Sequence, residues 1–148
     1  MRILDADILA YALYDESPAH TLSWQLIERS LTNEIDLYVT PTTILETYNT
    51  LYWFYRVRPL KSLLEKLTLT IEGLKVLETS INGLKVSAAD NIPLGDGFLI
   101  ATALHHSKPI IVTNDQHIIN KAPKYGLITE NPITEEIRKK LTEWKIDS

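Results

Sequence analysis

The sequence predicts an α/β fold, a central parallel sheet of about five strands layered between helices, formed as one domain over residues 1–148. Short β-like runs alternate with helical patterns along the chain, which is how a parallel sheet covered by helices reads. The 148 residues are the size of one ordinary domain and enough to bury a substantial core. No internal repeat, low-complexity stretch or interdomain linker divides them.

Ile3-Leu4 ends a first strand, a helix follows over Asp7 to Tyr14, and Pro18 marks the break after it. A second helix spans about His20 to Leu31, with Leu22, Leu26 and Ile27 on its inner face. Leu37 to Thr40 is the next strand, and Pro41 suits the first position of the helix behind it. That helix carries Ile44, Leu45, Tyr48, Leu51, Tyr52 and Tyr55 at helical spacing and ends near Pro59. Leu60 to Ile71 forms another, stopped at Gly73. Lys75 to Glu78 reads as a strand, then Thr79 or Ser80 caps a helix over Ile81 to Ala89. The Asn82-Gly83 pair offers a hairpin over 75–87 instead; the surrounding alternation favours the helix. The remaining elements are an apolar helix over Asp96 to His106, a buried strand over Ile110 to Val112, and a short helix over Asp115 to Lys121. A strand over Gly126 to Thr129 follows. An amphipathic helix over Thr134 to Trp144 closes the chain, with Ile133, Ile137, Leu141 and Trp144 on one face.

A hydrophobic share of 45% and a charged share of 23% belong to a soluble globular protein. No apolar run is long enough to span a bilayer, and no charged-then-apolar leader precedes Ile3, so a cytoplasmic setting without membrane attachment is expected. The absence of cysteine excludes a disulfide scaffold, thiol catalysis and a Cys-ligated zinc site. A net charge of −4 argues against broad adhesion to nucleic acid. Carboxylates of a metal site contribute to that total and are cancelled by bound cations, so nucleic acid stays open as a substrate and a local basic patch is required of it.

Four acids occupy positions that call for compensation. Asp5 and Asp115 each follow a strand, Glu46 lies within an apolar helical pattern, and Asp96 follows Gly95 at a helix start. Functional groups of an open α/β sheet gather beyond the carboxyl ends of its strands. Carboxylates drawn together there repel one another and raise at least one pKa unless a cation intervenes. Hard, oxygen-preferring Mg²⁺ or Mn²⁺ suits them, and such ions activate water for attack on a phosphodiester. Taken singly, Asp96 reads as a helix cap and Asp115 as a turn residue; the combination carries the weight.

The runs Ile3-Leu4-Asp5-Ala6-Asp7-Ile8-Leu9, Thr43-Ile44-Leu45-Glu46, Gly95 to Ala103 and Val112-Thr113-Asn114-Asp115-Gln116-His117 resemble the four acidic motifs of PIN-domain ribonucleases, in that family's order. The resemblance covers nearly the whole chain, and its compact length is similar to the VapC-type toxins. It implies a PIN-like three-layer α/β/α fold and Mg²⁺- or Mn²⁺-dependent cleavage of RNA. It also implies frequent homodimers or larger homo-oligomers and, for toxins, a small antitoxin protein as partner. Carried over, Asp5, Glu46, Asp96 and Asp115 are the metal-binding catalytic acids, and Thr113 matches the hydroxyl residue before the last acid. Ala6-Asp7 departs from the usual hydroxyl residue followed by Asn or Ser; Asp7 is read as a helix cap rather than a fifth ligand.

Two other readings compete. Asp5-Ala6-Asp7 is also similar to the nucleophile motif of haloacid-dehalogenase phosphatases, but Ile8-Leu9 replaces the Gly-Thr expected next. A non-catalytic assembly module would use the aromatic and arginine stretch Tyr52 to Arg58 as an interface. Arg56 and Arg58 within it are candidates for RNA or protein contact, against a plain reading as solvated charges. His117, near Asp115, supports either a phosphate contact or an exposed helix start. Of the tandem His105-His106, one is expected at the surface and one in packing, since neighbours on a helix diverge.

Overall fold

Strand β1 (Arg2–Leu4) begins the chain, followed by α1 (Ala6–Leu13), α2 (His20–Leu31) and β2 (Leu37–Val39) in the computed structural model, which describes residues 1–147 and side chains through Trp144. Next come α3 (Pro41–Asn49), a π-helical turn (Thr50–Phe54), α4 (Leu60–Glu72), β3 (Lys75–Val76), α5 (Gly83–Asp90) and α6 (Leu94–His105). The chain continues through β4 (Ile110–Val112), α7 (Gln116–Lys121), a 3₁₀ turn (Ala122–Tyr125), β5 (Thr129–Glu130) and α8 (Glu135–Asp147). All strand pairs are parallel, in the order β3-β2-β1-β4-β5, with Ile3 facing Tyr38 on one side and Ile111 on the other. No described helix is long and apolar enough to cross a membrane.

Strand alternation divides the core. Leu4, Leu37, Val39 and Val112 join the cluster built with α1, α2, α4 and α8. Ile3 and Ile111, one residue out of phase, point to the opposite face and pack with Leu99, Ile100, Ala103 and Ile118 from α6 and α7. The predicted three-layer α/β/α fold around five strands is therefore observed.

Several elements differ from expectation. The helix beginning at Pro41 does not run to Pro59. It passes into the π-helical turn and ends at Tyr55, after which Arg56 takes a left-handed φ of 59°. Most of the expected apolar row does face the core, with Leu51 buried and Ile44, Tyr48, Tyr52 and Tyr55 packed against it, but Leu45 is 58% exposed and Thr43 and Thr47 are buried instead. Those hydroxyls are satisfied locally: Thr47 Oγ1 donates to the Thr43 carbonyl at 2.7 Å, and Thr40 Oγ1 to Thr43 Oγ1 at 3.1 Å. Buried threonines carry no apolar signature, so the periodicity finds the apolar part of this face and misses Thr43 and Thr47.

The segment after β3 is a helix and not a hairpin, but neither Thr79 nor Ser80 caps it; Ser80 N–H donates to Thr102 Oγ1 at 2.9 Å and ties the loop to α6. Strand β3 is shorter than expected and exposed at the sheet edge. The last strand falls later than predicted, because Gly126 terminates the 3₁₀ turn at φ 70° and Leu127 is drawn into the core. His105 is exposed and His106 half-buried against the Glu78 carbonyl, as expected.

Helices α5 and α6 touch where Gly83 has no side chain: a Cβ there would lie 2.6 Å from the Phe98 backbone nitrogen. Gly83→Ala is expected to force these helices apart and cost about 1–3 kcal/mol, a lower Tm by thermal melting; an unchanged Tm would show that the contact yields freely.

Candidate active site

The strand order reverses at β1 and β4, and the crevice beyond their carboxyl ends is where an α/β sheet exposes backbone groups to a ligand. Asp5 leaves β1 as the N-cap of α1, accepting from Ala6 N–H at 2.7 Å. Asp115 leaves β4 as the N-cap of α7, accepting from His117 N–H at 2.8 Å. Buried Thr113 joins them. Its hydroxyl donates to Asp5 Oδ2 at 2.7 Å and accepts from Asp115 N–H at 2.9 Å, fixing one acid's side chain and the other's backbone with one oxygen.

Glu46 and Asp96 approach from α3 and α6. The Glu46 carboxyl lies on the backbone at Gly95, where a Cβ would stand 2.7 Å from the carboxyl carbon. Gly95 therefore admits Glu46 beside Asp96, a role hidden in the sequence, where a glycine at a helix start reads as punctuation. Asp96 does not cap its helix: α6 begins two residues earlier at Leu94, behind Pro93. It sits in the first turn, where the dipole favours its ionised form.

Asp7 corrects the cap assignment. Asp5 holds the N-cap position, and Asp7 lies within the first turn of α1. Its Oδ1 accepts from Ile8 N–H at 2.7 Å and its Oδ2 from Asn114 N–H at 3.0 Å, across to the loop that carries Asp115. Asn114 Oδ1 in turn accepts from Asn131 Nδ2 at 2.9 Å. The sequence offers Asn114 only as a loop residue between a strand and an acid; its latch needs the partner loop in place.

Burial and like charge dominate the electrostatics. Burial pushes Asp5 up to about 6, with a further contribution from Asp115, against the lowering effect of the Thr113 and Ala6 hydrogen bonds. Glu46 is pushed up to about 7 by burial and then by Asp5. Asp96 is pushed up to about 7 by burial and then by Asp115, Asp5 and Glu46. Asp7 is held well above the usual carboxylate range by burial first and Asp5 second. Asp5, Glu46, Asp96 and Asp115 thus come from four separate segments to share one field.

Among the described residues, no three or more His, Asp and Glu side chains close into a ready-made ligand cage. The arrangement fits a different kind of cation site. Mg²⁺ is usually held by one or two carboxylates and keeps several waters, completing its shell with substrate phosphate. His117 is exposed and enters the crevice only through its backbone N–H. Arg56 and Arg58 lie beyond the π-helical turn and are exposed. Arg58 stacks over the Tyr52 ring at 3.6 Å and donates to the Tyr52 carbonyl at 2.6 Å. The structure therefore gathers the acids and Thr113, and leaves the two arginines on a neighbouring loop.

The raised carboxyl values have a stability consequence with a definite sign. Asp5, Glu46 and Asp96 bind protons more tightly folded than unfolded, so their contribution is most favourable at low pH and is lost as pH rises from about 4 towards about 7. In EDTA, Asp96→Asn should flatten the decline in Tm between pH 5 and pH 8 relative to wild type. Parallel Tm curves for the two proteins would contradict this electrostatic reading.

Comparison with known proteins follows the same lines. The crystal structure of PAE2754 from Pyrobaculum aerophilum superposes with a TM-score of 0.61 at 21% identity, covering 96% of this chain and 87% of that one. The crystal structure of VapBC2 from Rickettsia felis, bound to a DNA fragment from its promoter, gives a TM-score of 0.64 at 16% identity, covering 88% and 97% respectively. At these identities the likeness is one of fold. No curated protein matches the chain. The sequence profile of the PIN domain matches residues 2–124, most of the chain. The chain belongs to the PIN domain family.

Proposed function

We propose that this protein is a metal-dependent endoribonuclease that hydrolyses RNA phosphodiester bonds, and that it acts as the toxin of a toxin–antitoxin pair. The observation that carries the reading is the mutual field of Asp5, Glu46, Asp96 and Asp115 at the carboxyl ends of β1 and β4. Such a cluster costs stability without a cation and has a use with one.

Asp5, Glu46, Asp96 and Asp115 would hold Mg²⁺ or Mn²⁺, directly or through water. When bound, the cation supplies a water of lowered pKa and offsets charge developing on the phosphate. Thr113 keeps the Asp5 carboxyl in one orientation and sets the start of the segment bearing Asp115. Glu46 and Asp96 titrate near neutrality, which suits either to accept the proton of an attacking water. The phosphatase alternative is disfavoured by the PIN-domain match over residues 2–124 and by Ile8-Leu9 standing where its Gly-Thr is expected.

A protein partner is proposed on a second surface. Pro41, Ile44, Leu45, Tyr48, Leu60 and Leu64 line an apolar groove between α3 and α4, and Leu45 and Leu64 are 58% and 44% exposed. Exposed apolar area of this kind supports an interface, for a homodimer and for a small antitoxin. A purely docking role would use the same groove but gives no reason for the acid cluster.

Asp5→Asn or Asp96→Asn should reduce cleavage of a single-stranded RNA by at least about 10²-fold while circular dichroism stays native. Excess EDTA should do the same to wild type; full activity in either variant, or in EDTA, would sink the mechanism. Leu64→Glu should lower the molecular mass measured by analytical ultracentrifugation if the groove joins two copies. A wild-type monomer, or a dimer that persists in the variant, would exclude that dimer surface.

A further inference from the structure

We propose that the hollow beside Asp7 is a nucleobase subsite, in which a base next to the scissile bond stacks on Phe54 and presents an N–H edge, guanine's above all, to the Asp7 carboxyl. This rests on the nuclease reading and adds a substrate preference to it. Asp7, Ala10, Tyr11, Thr50, Phe54 and Tyr55 enclose a cavity of about 340 Å³.

The cavity adjoins the acid cluster through two of its lining residues, Asp7 and Thr50. Asp7 lies two residues beyond Asp5 and binds the N–H of Asn114, the neighbour of Asp115. Thr50 stands one turn after Glu46 and donates to its carbonyl at 3.1 Å. A strand of RNA with its phosphate at the acids therefore has a base within reach of this hollow.

One wall is built for stacking. The π-helical turn ends on Phe54, which is 70% exposed although it is large and apolar. π-helical turns concentrate at functional sites. Phe54 meets Tyr55 edge to face at 5.2 Å, and Tyr55 is itself stacked on Tyr14 at 4.5 Å. The exposed ring thus stands on a fixed aromatic support, and a base covering it exchanges wet apolar area for stacking.

The floor selects. When ionised, the Asp7 carboxyl offers about four acceptor sites, of which the protein fills two, from Ile8 and Asn114, and a ligand that brings donors to the other two favours that form against its burial. Guanine carries N1–H and N2–H side by side and can supply both remaining donors. Adenine and cytosine bring a single amino group, and uracil sets its one N–H between two carbonyl oxygens that would face the carboxyl. A site shaped for a donor pair discriminates strongly against ligands that lack it.

The test uses binding, not cleavage. The chain has two phenylalanines, Phe54 and Phe98, and Phe98 packs at Gly83 between α5 and α6. In fluorine NMR of fluorophenylalanine-labelled protein in EDTA, GMP should shift the Phe54 line and leave the Phe98 line in place. GMP should bind on the order of ten-fold tighter than UMP, with AMP and CMP between. Asp7→Asn should abolish that ranking while stacking still moves the Phe54 line. The wild-type ranking stands as evidence without any variant. A Phe54 line unmoved by all four nucleotides, or moved equally by them, overturns the subsite. RNA cleavage without any response at Phe54 would overturn it alone, and a GMP response in a protein that cuts no RNA would uphold it while the nuclease reading failed.

Discussion

Carboxyl groups withdrawn from water beside a packed sheet raise the free energy of a fold, and several sharing one field raise it further. This chain accepts that cost at one place, the carboxyl ends of β1 and β4. The residues around it are arranged to hold the acids in position. Thr113 spends its single hydroxyl on both strand ends, donating to Asp5 and accepting from the Asp115 backbone. Gly95 leaves room for Glu46, and Asn114 takes the second oxygen of Asp7. Apart from the local Thr113–Asp115 bond, these contacts cross between segments far apart in sequence, so the site exists only once the sheet is closed.

The same constraint explains why the site is open. Carboxyls that titrate near neutrality are poor permanent anions but good responsive ones: they release protons when a cation or a phosphate–cation pair arrives and take them up when it leaves. Among the described residues there is no closed cage, and a hydrated Mg²⁺ does not need one. Net charge fits this view as well. Part of the −4 is concentrated where a bound cation would offset it, while Arg56 and Arg58 project from a nearby loop.

Much of this was legible in the chain because the signals were short-range. Alternating apolar runs and helical periods located the parallel sheet, and acids just past strand ends located the crevice. What stayed hidden depended on groups meeting through space. The π-helical turn follows a helix whose fully buried residues are Thr43 and Thr47, of a type that hydropathy does not count as core. Leu45 seemed an inward residue because its neighbours are apolar, yet that flank faces the groove beside α4. Asp7 looked like a cap because it starts a helix pattern, but Asp5 takes the cap and frees Asp7 for Asn114. The roles of Gly95 and Asn114 have no local signature, since each is defined by a partner on another element.

The central claim is that these acids form one cation-responsive site. Calorimetric titration with Mn²⁺ near pH 6.5, repeated in buffers of different ionisation enthalpy, measures binding and proton release together. The account predicts that wild type binds Mn²⁺ and releases protons as Glu46, Asp96 and Asp5 ionise, and that Asp96→Asn weakens binding and releases fewer. Absence of binding, or binding by Asp96→Asn with unchanged affinity and proton count, would contradict it.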